Sequence, residues 1–285
     1  MWWKVVLIVL LVLVIGVLSA AGIGSMRWKS RTASLLEKLE TAQRNSALQS
    51  YEPAQLEGLP DPVARYFRTV LKPGQPLVRR LKIDHSGTFN MNLEKTQWKP
   101  FTSHQWVIAQ RPGFIWNARI RMMPGLAVRV HDAYVAGEGI LTAALFGLIK
   151  VADEASTREM ARGEFMRWCM ESVWYPTALL PGPGVRWIGV DDHNAKAVFT
   201  DGDLEVEIHF HFTTDNLIDR ARSQSRSRMV NGKALPTPWE GRFWNYSRRQ
   251  GILVPLNGDV AWILPEGRAT YWQGRIESLD YTFRS

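Results

Sequence analysis

The chain has 285 residues, of which 46% are apolar, so it is long enough to bury a sizeable hydrophobic core. Its net charge of +8 would suit nucleic acid, an anionic membrane or an acidic ligand. The basic residues form no single block and no nucleic-acid-binding signature is present, so we predict no nucleic-acid partner. Because Cys169 is the single cysteine, the sequence excludes an internal disulfide and a cysteine-rich zinc site.

The N-terminal 31 residues carry the clearest pattern in the sequence. Residues 5–23 contain no charged side chain and would form a helix about 28 Å long, close to the hydrocarbon thickness of a bilayer. Tryptophan and basic residues flank this segment on both sides, as they do at the interfaces of membrane helices. We therefore predict a transmembrane anchor with its flanks over residues 1–31, and a signal peptide cleaved near Ala21 is the alternative.

Two features of the sequence disagree about the orientation of the anchor. Arg27, Lys29 and Arg31 outweigh Lys4, which by the positive-inside rule would keep the main domain in the cytoplasm. A short N-terminal tail before a long domain is, however, the ordinary layout of an exported, signal-anchored protein, and long domains cross membranes largely regardless of charge. We favour a single-pass protein of the inner (plasma) membrane with its main domain on the outer, periplasmic side.

Residues 32–58 predict a helical spacer next to the membrane. Leu35, Leu36 and Leu39 recur on one side of this otherwise polar segment, which is the pattern of an amphipathic helix. Such a helix can hold a domain away from the bilayer or dock on it. The main domain in this prediction is residues 59–285.

The main domain is predicted to consist mostly of antiparallel strands. After a short helix near Asp61, apolar and polar residues alternate over residues 81–93, with the period of a half-buried strand. The turn at residues 111–114 joins two strands into a hairpin, and further turn sequences follow at regular spacing. We therefore predict an α+β fold in which one helix covers a large curved antiparallel sheet, or half-barrel.

The covering helix is predicted over residues 157–174. Ser156 and Glu159 have the spacing of a capping box at its start, and Pro176 ends it because a helix cannot readily continue through a proline ring. Its aromatic side chains would lay the helix on the sheet, each contributing about 2–3 kcal/mol by burial. We interpret this segment as a packed cover rather than a catalytic helix.

Four polar residues are candidates for a site. Glu164, Arg167 and Glu171 are three and four residues apart, so they share one face of the covering helix and can form a row of ion pairs. Asp132 falls on the apolar side of its predicted strand, where a carboxylate needs a hydrogen-bonding partner. An arginine partner is our interpretation, and an active-site acid is the alternative. An enzyme centred on Asp132, Glu164 and Glu171 is therefore the second hypothesis for function.

His209 and His211 raise the question of a metal site. They lie two residues apart on a predicted strand and so point to the same side, as a pair of metal ligands could. Arginines repeat with the same period on the next strand, and such a cationic row would repel a metal ion. We therefore interpret the histidines as part of a solvent-facing polar row, and we predict no metal and no cofactor.

The hairpin that contains these histidines has a predicted register. With residues 215–216 at the centre of its turn, His211 pairs with Arg220. The same register pairs Glu205 with Arg226. Shifting it by one residue would drive arginines to the apolar side, where unpaired charge is costly.

The chain resembles an uncharacterised bacterial family, a domain of unknown function. The resemblance rests on LPDPVARYF (59–67), HDAYVAGEG (131–139), GEFMRW (163–168) and VWYPTALLP (173–181), and it covers almost all of the chain beyond the spacer. It implies no activity. The predicted layout also looks like the half-barrels of the LolA-like lipoprotein carriers, which bind acyl chains against a concave apolar sheet, a likeness of fold that suggests function by analogy alone.

We predict a non-catalytic, membrane-anchored protein that binds a lipid or another amphiphile between its sheet and the covering segments. The apolar run at residues 140–149 supports this prediction, because such a run is a liability on a water-exposed surface. The predicted partners are the membrane and this ligand, and a structural or interaction module of an envelope complex is a further alternative. The candidate ligand-binding residues are Trp116, Tyr134, Leu145, Phe146, Trp168 and Trp174.

Overall fold

The computed structural model describes residues 2–43, 49–154, 156–230 and 232–283. Within these ranges the chain forms three α-helices and 13 β-strands. The helices are α1 (Trp2–Thr41), α2 (Asp61–Val70) and α3 (Arg158–Glu171), and the strands are β1 (Val78–Asn90), β2 (Trp98–Ile108), β3 (Gly113–Met123), β4 (Leu126–Val135), β5 (Glu138–Leu145), β6 (Ile149–Glu154), β7 (Val185–Asp191), β8 (Asn194–Asp201), β9 (Leu204–Phe212), β10 (Ile218–Val230), β11 (Lys233–Arg249), β12 (Ile252–Leu264) and β13 (Gly267–Phe283).

The 13 strands of the described residues belong to one antiparallel sheet. Their order is β6-β5-β4-β3-β2-β1-β13-β12-β11-β10-β9-β8-β7, so each half of the sheet is a meander and the first strand pairs with the last. Antiparallel neighbours need only short turns, which explains the regular spacing of turn sequences along the chain. β6 and β7 form the two edges, and the segment that contains α3 connects them.

The sheet curves so that both of its halves meet α3. This helix packs against β3, β4 and β5 in one half and against β9 and β10 in the other. Its 14 residues span only about 21 Å, so it can reach strands so far apart in the order only if the sheet wraps around it. The predicted half-barrel with one covering helix is therefore confirmed.

The start of α3 differs from its predicted start by one residue. Thr157 is the N-cap, and its Oγ1 accepts the backbone N–H of Met160 at 3.1 Å. The capping box predicted for Ser156 and Glu159 is wrong, because the adjacent threonine offers an equivalent hydroxyl cap. The α-helix ends at Glu171, and one 3-10 turn (Ser172–Trp174) continues it.

α1 is one continuous helix of 40 residues with two different parts. Residues 2–23 are almost entirely exposed, and an 18-residue window of the helix has a mean hydropathy of 3.1, so α1 is long and apolar enough to cross a membrane. Residues 24–41 lie on the outer, convex face of the sheet against β2, β3 and β4. The helical part of the predicted spacer is thus continuous with the apolar segment, while the boundaries at residues 31 and 58 stay predictions.

The hairpin between β9 and β10 confirms part of the predicted register. His211 pairs with Arg220, as expected. The turn differs from the predicted one. The N–H of Asn216 donates to the carbonyl oxygen of Thr213 at 2.9 Å, and Asn216 has a left-handed backbone conformation with φ 59°. This is a three-residue loop with a bulge rather than a two-residue turn centred on residues 215–216.

The predicted pair of Glu205 with Arg226 is wrong. Pairing between β10 and β9 ends at Arg222, and β10 then has an irregularity between Ser223 and Arg226. Beyond it, the Arg226 side chain is largely buried and binds Glu164 of α3, whereas Glu205 is exposed. A bulge re-aims side chains, and the alternating sequence pattern did not reveal this one.

Candidate functional site

A cavity of about 240 Å³ lies between α3 and the concave face of the sheet. α3 supplies one wall, and strands from both halves of the sheet supply the others. Aromatic rings form much of the lining. They belong to Phe89, Trp116, Trp174, Trp239, Phe243, Tyr271 and Trp272.

Two arginines bind three carboxylates at this cavity. Arg167 donates from Nη1 to Asp132 Oδ2 at 2.6 Å and from Nε to Glu171 Oε1 at 2.7 Å. Arg226 donates from Nη2 to Glu164 Oε1 at 2.8 Å. The predicted arginine partner of Asp132 is therefore confirmed. The predicted ion-paired row on the helix is confirmed only for Arg167 and Glu171, because Glu164 binds an arginine of β10 instead.

Aromatic faces hold both guanidinium groups in place. The Arg167 guanidinium carbon lies 4.8 Å from the ring centre of Phe114 and 5.1 Å from that of Trp116. The Arg226 guanidinium carbon lies 4.1 Å from the ring centre of Trp239. These contacts replace water around the cations and fix the direction of their N–H groups.

Four N–H groups on residues that line the cavity have no hydrogen-bond partner among the described residues. Each buried polar group left without a partner costs on the order of 1–3 kcal/mol, so such groups are uncommon unless something completes them. Their concentration around one cavity makes this cavity the candidate site. They are Arg226 Nη1 and the indole Nε1 of Trp116, Trp174 and Trp272. The carboxyl groups of Asp132 and Glu164, which also line the cavity, form a hydrogen bond with each other.

Glu164 has an unusual protonation equilibrium. Burial raises its pKa to about 8, the negative charge of Asp132 and a side-chain hydrogen bond with Asp132 act in the same direction, and Arg226 and Arg167 oppose the shift. The neutral form of Glu164 is therefore favoured at pH 7, so its carboxyl group can donate a hydrogen bond as well as accept one.

Two further buried residues contact side chains that line the cavity, and the sequence analysis did not predict them. His85 lies 5.2 Å from Trp174 between ring centres, and burial together with the charge of Arg167 lowers its pKa to about 3, so it is neutral. Gln105 donates from Nε2 to Glu171 Oε2 at 2.6 Å and so holds the second oxygen of that carboxylate. Position 85 falls in step with the apolar residues of its strand, and this signal could have identified it.

The structure brings six of the ten predicted site residues together at the cavity. The two predicted tryptophans among them lie on different elements, one on β3 and one just after α3, while the polar residues come from β4 and α3. Arg226, Trp239 and Trp272 complete the same lining but were not predicted, because only the fold brings them there. The six are Trp116, Trp174, Asp132, Glu164, Arg167 and Glu171.

The other four predicted residues lie outside the lining of this cavity. Tyr134 and Trp168 are buried in the main core, where the Tyr134 hydroxyl donates to Asp201 Oδ2 at 2.8 Å and Trp168 Nε1 donates to a backbone carbonyl oxygen at 3.1 Å. Leu145 ends β5, and Phe146 begins the turn that follows it. The apolar run at residues 140–149 therefore divides between β5, the turn that follows it and the first residue of β6, and only Leu141 within it reaches the cavity.

The two histidines of β9 each bind a neighbouring carboxylate. His209 Nε2 lies 2.7 Å from Glu207 Oε1, and His211 Nδ1 lies 2.5 Å from Asp219 Oδ1. Among the described residues, no group of three or more His, Cys, Asp and Glu side chains has an arrangement that could hold a metal ion.

Together, the fold and the cavity define a class of protein: a curved antiparallel sheet closed by a helix over a site lined by aromatic and charged side chains. The chain belongs to a family of unknown function, DUF6920, which matches residues 57–281. This confirms the resemblance to an uncharacterised family, over nearly the whole predicted main domain. No curated protein matches the chain.

Two solved structures are similar to the chain at low sequence identity. A LolA superfamily protein from Nitrosomonas europaea is 9% identical, with a TM-score of 0.32, over 80% of this chain and 95% of that protein. A β-barrel-like protein of domain of unknown function DUF1849 from Brucella abortus is 10% identical, with a TM-score of 0.23, over 72% of this chain and 98% of that protein.

Proposed function

We propose that the protein is a membrane-anchored binding protein for a small amphiphile, whose polar group occupies the cavity under α3. The observation that carries this proposal is the set of four unpartnered N–H donors on a largely aromatic lining. Small-molecule sites typically combine apolar walls with a few fixed polar groups that orient the ligand. The cavity under α3 has this composition.

The size and the chemistry of the cavity restrict the ligand. Its volume of about 240 Å³ lies below the roughly 300–1,000 Å³ of pockets for drug-sized ligands, so it fits a headgroup or a short amphiphile rather than a complete lipid. Arg226 and three indole N–H groups offer donors, and Asp132 and Glu164 offer carboxyl oxygens. A ligand with both acceptors and donors, such as a hydroxylated or zwitterionic headgroup, would satisfy both sets.

Mass spectrometry of the full chain purified in detergent tests this proposal. We expect the folded protein to retain a small molecule that native mass spectrometry detects and that solvent extraction releases for identification. If the folded protein retains nothing and short-chain anionic or zwitterionic phospholipids do not change its tryptophan fluorescence, the binding proposal fails.

Matched variants locate the ligand. Val260→Phe places a ring in the cavity and should expel the bound molecule, whereas Val190→Phe makes the same change at an exposed position on the edge strand β7. Trp174→Phe keeps a ring but removes one unpartnered N–H, so binding should weaken without loss of fold. Equal retention of the ligand by Val260→Phe and Val190→Phe would place the ligand elsewhere.

The anchor and its orientation belong to the same proposal. We place residues 2–23 across the inner membrane as a single-pass anchor, with the main domain on the periplasmic side, and their exposed apolar side chains support the span. The intact mass of the membrane-bound protein should include this segment, whereas trimming near Ala21 would identify a signal peptide. A C-terminal alkaline phosphatase fusion should be active, and an inactive phosphatase with a fluorescent cytoplasmic fusion would reverse the orientation.

One observation favours a second candidate, an enzyme. Glu164, with its raised pKa, faces Asp132 beside the cavity, and pairs of carboxyl groups in unlike environments serve as acid and base in catalysis. Incubation of the identified ligand with the protein separates the two functions. A ligand recovered unchanged supports binding alone. Conversion that Glu164→Gln abolishes, while binding persists, would establish an enzyme.

A further inference from the structure

The sheet has two ends, and alternate turns of the meander lie at each, except that the curvature of the sheet brings the β8–β9 turn against the β2–β3 and β4–β5 turns. The β1–β2, β3–β4 and β5–β6 turns share one end, because each strand reverses the direction of the one before it. Pairing of β1 with β13, and of the strands beyond it, brings the β12–β13 and β10–β11 turns to the same end. We call the end formed by these five turns the anchor end.

The apolar segment of α1 leaves the sheet at the anchor end. Gly24 touches Phe146 and Leu148 of the β5–β6 turn so closely that even one added carbon would overlap them. Leu39, four helical turns later, lies against Gly113 at the start of β3, at the opposite end of the sheet. α1 therefore runs along the convex face from one end to the other, and residues 2–23 project beyond the anchor end.

Exposed apolar side chains cluster at the same end. Met123 is 58% exposed in the β3–β4 hairpin, Ile149 is 62% exposed at the β5–β6 turn, and Met229 is 58% exposed beside the β10–β11 turn. Met91 and Leu235 add to them, and we call these five residues the apolar rim. Among the described residues, the turns at the opposite end have one such side chain beside them, Val190, which is 54% exposed next to the β7–β8 turn.

The charge of the anchor end is positive. Exposed apolar side chains are unfavourable in water, so their clustering indicates a partner surface. Basic residues are attracted to the headgroups of an anionic bilayer. In these turns four exposed basic residues outnumber two exposed acidic ones. They are Lys95, Arg121, Lys150 and Lys233, against Glu94 and Glu266, and Lys150 is paired with Asp153 of β6.

We propose that the apolar rim contacts the surface of the membrane that holds α1, with its side chains in the interfacial layer and the basic residues against anionic headgroups. The inference rests on the proposed anchor, since continuity with α1 selects the bilayer as the partner. Phe89, which lines the cavity, is the penultimate residue of β1 on the anchor-end side, so the cavity has a wall residue near this end.

Site-directed spin labelling of the full chain in nanodiscs of phosphatidylethanolamine and phosphatidylglycerol tests the proposal. The native thiol of Cys169 is buried and burial raises its pKa, so it stays unlabelled. Labels at Met123→Cys and Ile149→Cys report on the rim. Asp215→Cys, in an exposed turn at the opposite end, is the matched control, and Val14→Cys reports on the anchor.

We expect the rim labels to collide more with oxygen than with a water-soluble nickel chelate, as the label at position 14 does, and the label at position 215 to show the reverse. If position 14 is in lipid but the rim labels match position 215, the rim proposal is overturned and the anchor stands. If position 14 itself is in water, the anchor fails and the rim proposal with it. Protection of the rim labels from both reagents, or spin coupling between copies, would assign the rim to a protein contact and overturn the proposal.

Discussion

One helix covers each face of the sheet, but the two interfaces are built differently. Under α3, on the concave face, two arginines bind buried carboxylates beside a cavity with unpartnered polar atoms. Under α1, on the convex face, Leu35 and Leu39 pack with Ile115 and Val135 in an apolar cluster. Polar groups of that interface pair with one another, as when Trp28 Nε1 donates to Asn117 Oδ1 at 3.0 Å, and His131 Nδ1 is left without a partner among the described residues.

The difference indicates that the two helices have separate tasks. The convex interface has the composition of an attachment, in which apolar burial supplies the free energy and few polar groups need a partner. The concave interface keeps charge buried around a cavity, which is costly unless the charges position something. Removing charge should therefore damage the concave side, and removing apolar volume should release the convex side.

Loss of Arg167 should have the largest effect. Arg167→Met leaves Asp132 and Glu171 without their cation in a largely buried setting, and we expect the free energy of unfolding to fall by about 3–5 kcal/mol. Arg31→Met is the matched change on the convex side, where the pair with Asp153 is 3.6 Å long and more than a third exposed, and it should cost less than about 1 kcal/mol. Urea unfolding followed by circular dichroism measures both, and equal losses would contradict the proposed difference between the faces.

Truncation of Leu39 should separate α1 from the sheet. Leu39→Ala removes a fully buried side chain from the convex cluster and should cost about 2–4 kcal/mol. Hydrogen exchange should accelerate in residues 32–41 while α3 keeps its protection. Leu36→Ala, one turn earlier and only partly buried, should have a smaller effect. Loss of protection in α3 to the same degree would mean that the two interfaces are not independent.

Glu164 should make the folded protein less stable as the pH rises. Its pKa is about 8 in the folded protein and near 4.5 when unfolded, so between these values the unfolded state releases a proton that the folded state keeps. Stability should therefore fall as pH rises through this window, by at most about 1.4 kcal/mol per pH unit. Glu164→Gln should remove this slope. Glu205→Gln, on an exposed strand position, should leave it unchanged, and an identical slope in both variants would assign the titration to another group.

His131 on the convex face should have the opposite effect and make the folded protein less stable as the pH falls. It stacks on Trp28 at 4.0 Å between ring centres, and burial, with Arg31 and Arg129 adding to it, lowers its pKa to about 3. The unfolded state takes up a proton below about pH 6.5 that the folded state refuses, so stability falls as pH drops.

The variant His131→Gln isolates this contribution. Between pH 7.5 and pH 5.5 the free energy of unfolding of the wild-type protein should fall by about 1.4 kcal/mol because of His131. Over the same pH change the free energy of unfolding of the variant should fall by that much less. His85, on the concave side, has a pKa lowered in the same way. It is present in both proteins, so its contribution to the acid sensitivity cancels in the comparison. Unchanged acid sensitivity in the variant would show that His131 is not buried under α1.

Much of the local structure could be predicted from the sequence because it depends on neighbouring residues. Alternation over residues 81–93 predicted β1, and an acid on an apolar strand face required a partner, which Arg167 supplies. The same local view failed at residues 140–149, since an apolar run does not reveal where its turn falls or which side of a curved sheet each residue faces. It failed again at Arg226, where one bulge reverses the face.

By itself the sequence determined the elements: an apolar N-terminal helix, a meander of alternating strands and a helix of aromatic and charged residues, all periodicities set within a few residues of chain. Only the tertiary structure decided that β1 pairs with β13, that the sheet curves around α3, and that Arg226 and Trp272 join Asp132 and Glu164 at one cavity. The physical reason is the separation along the chain of the residues that interact. Strand closure and curvature depend on register and packing between residues far apart in the chain, and these are not encoded in any local period.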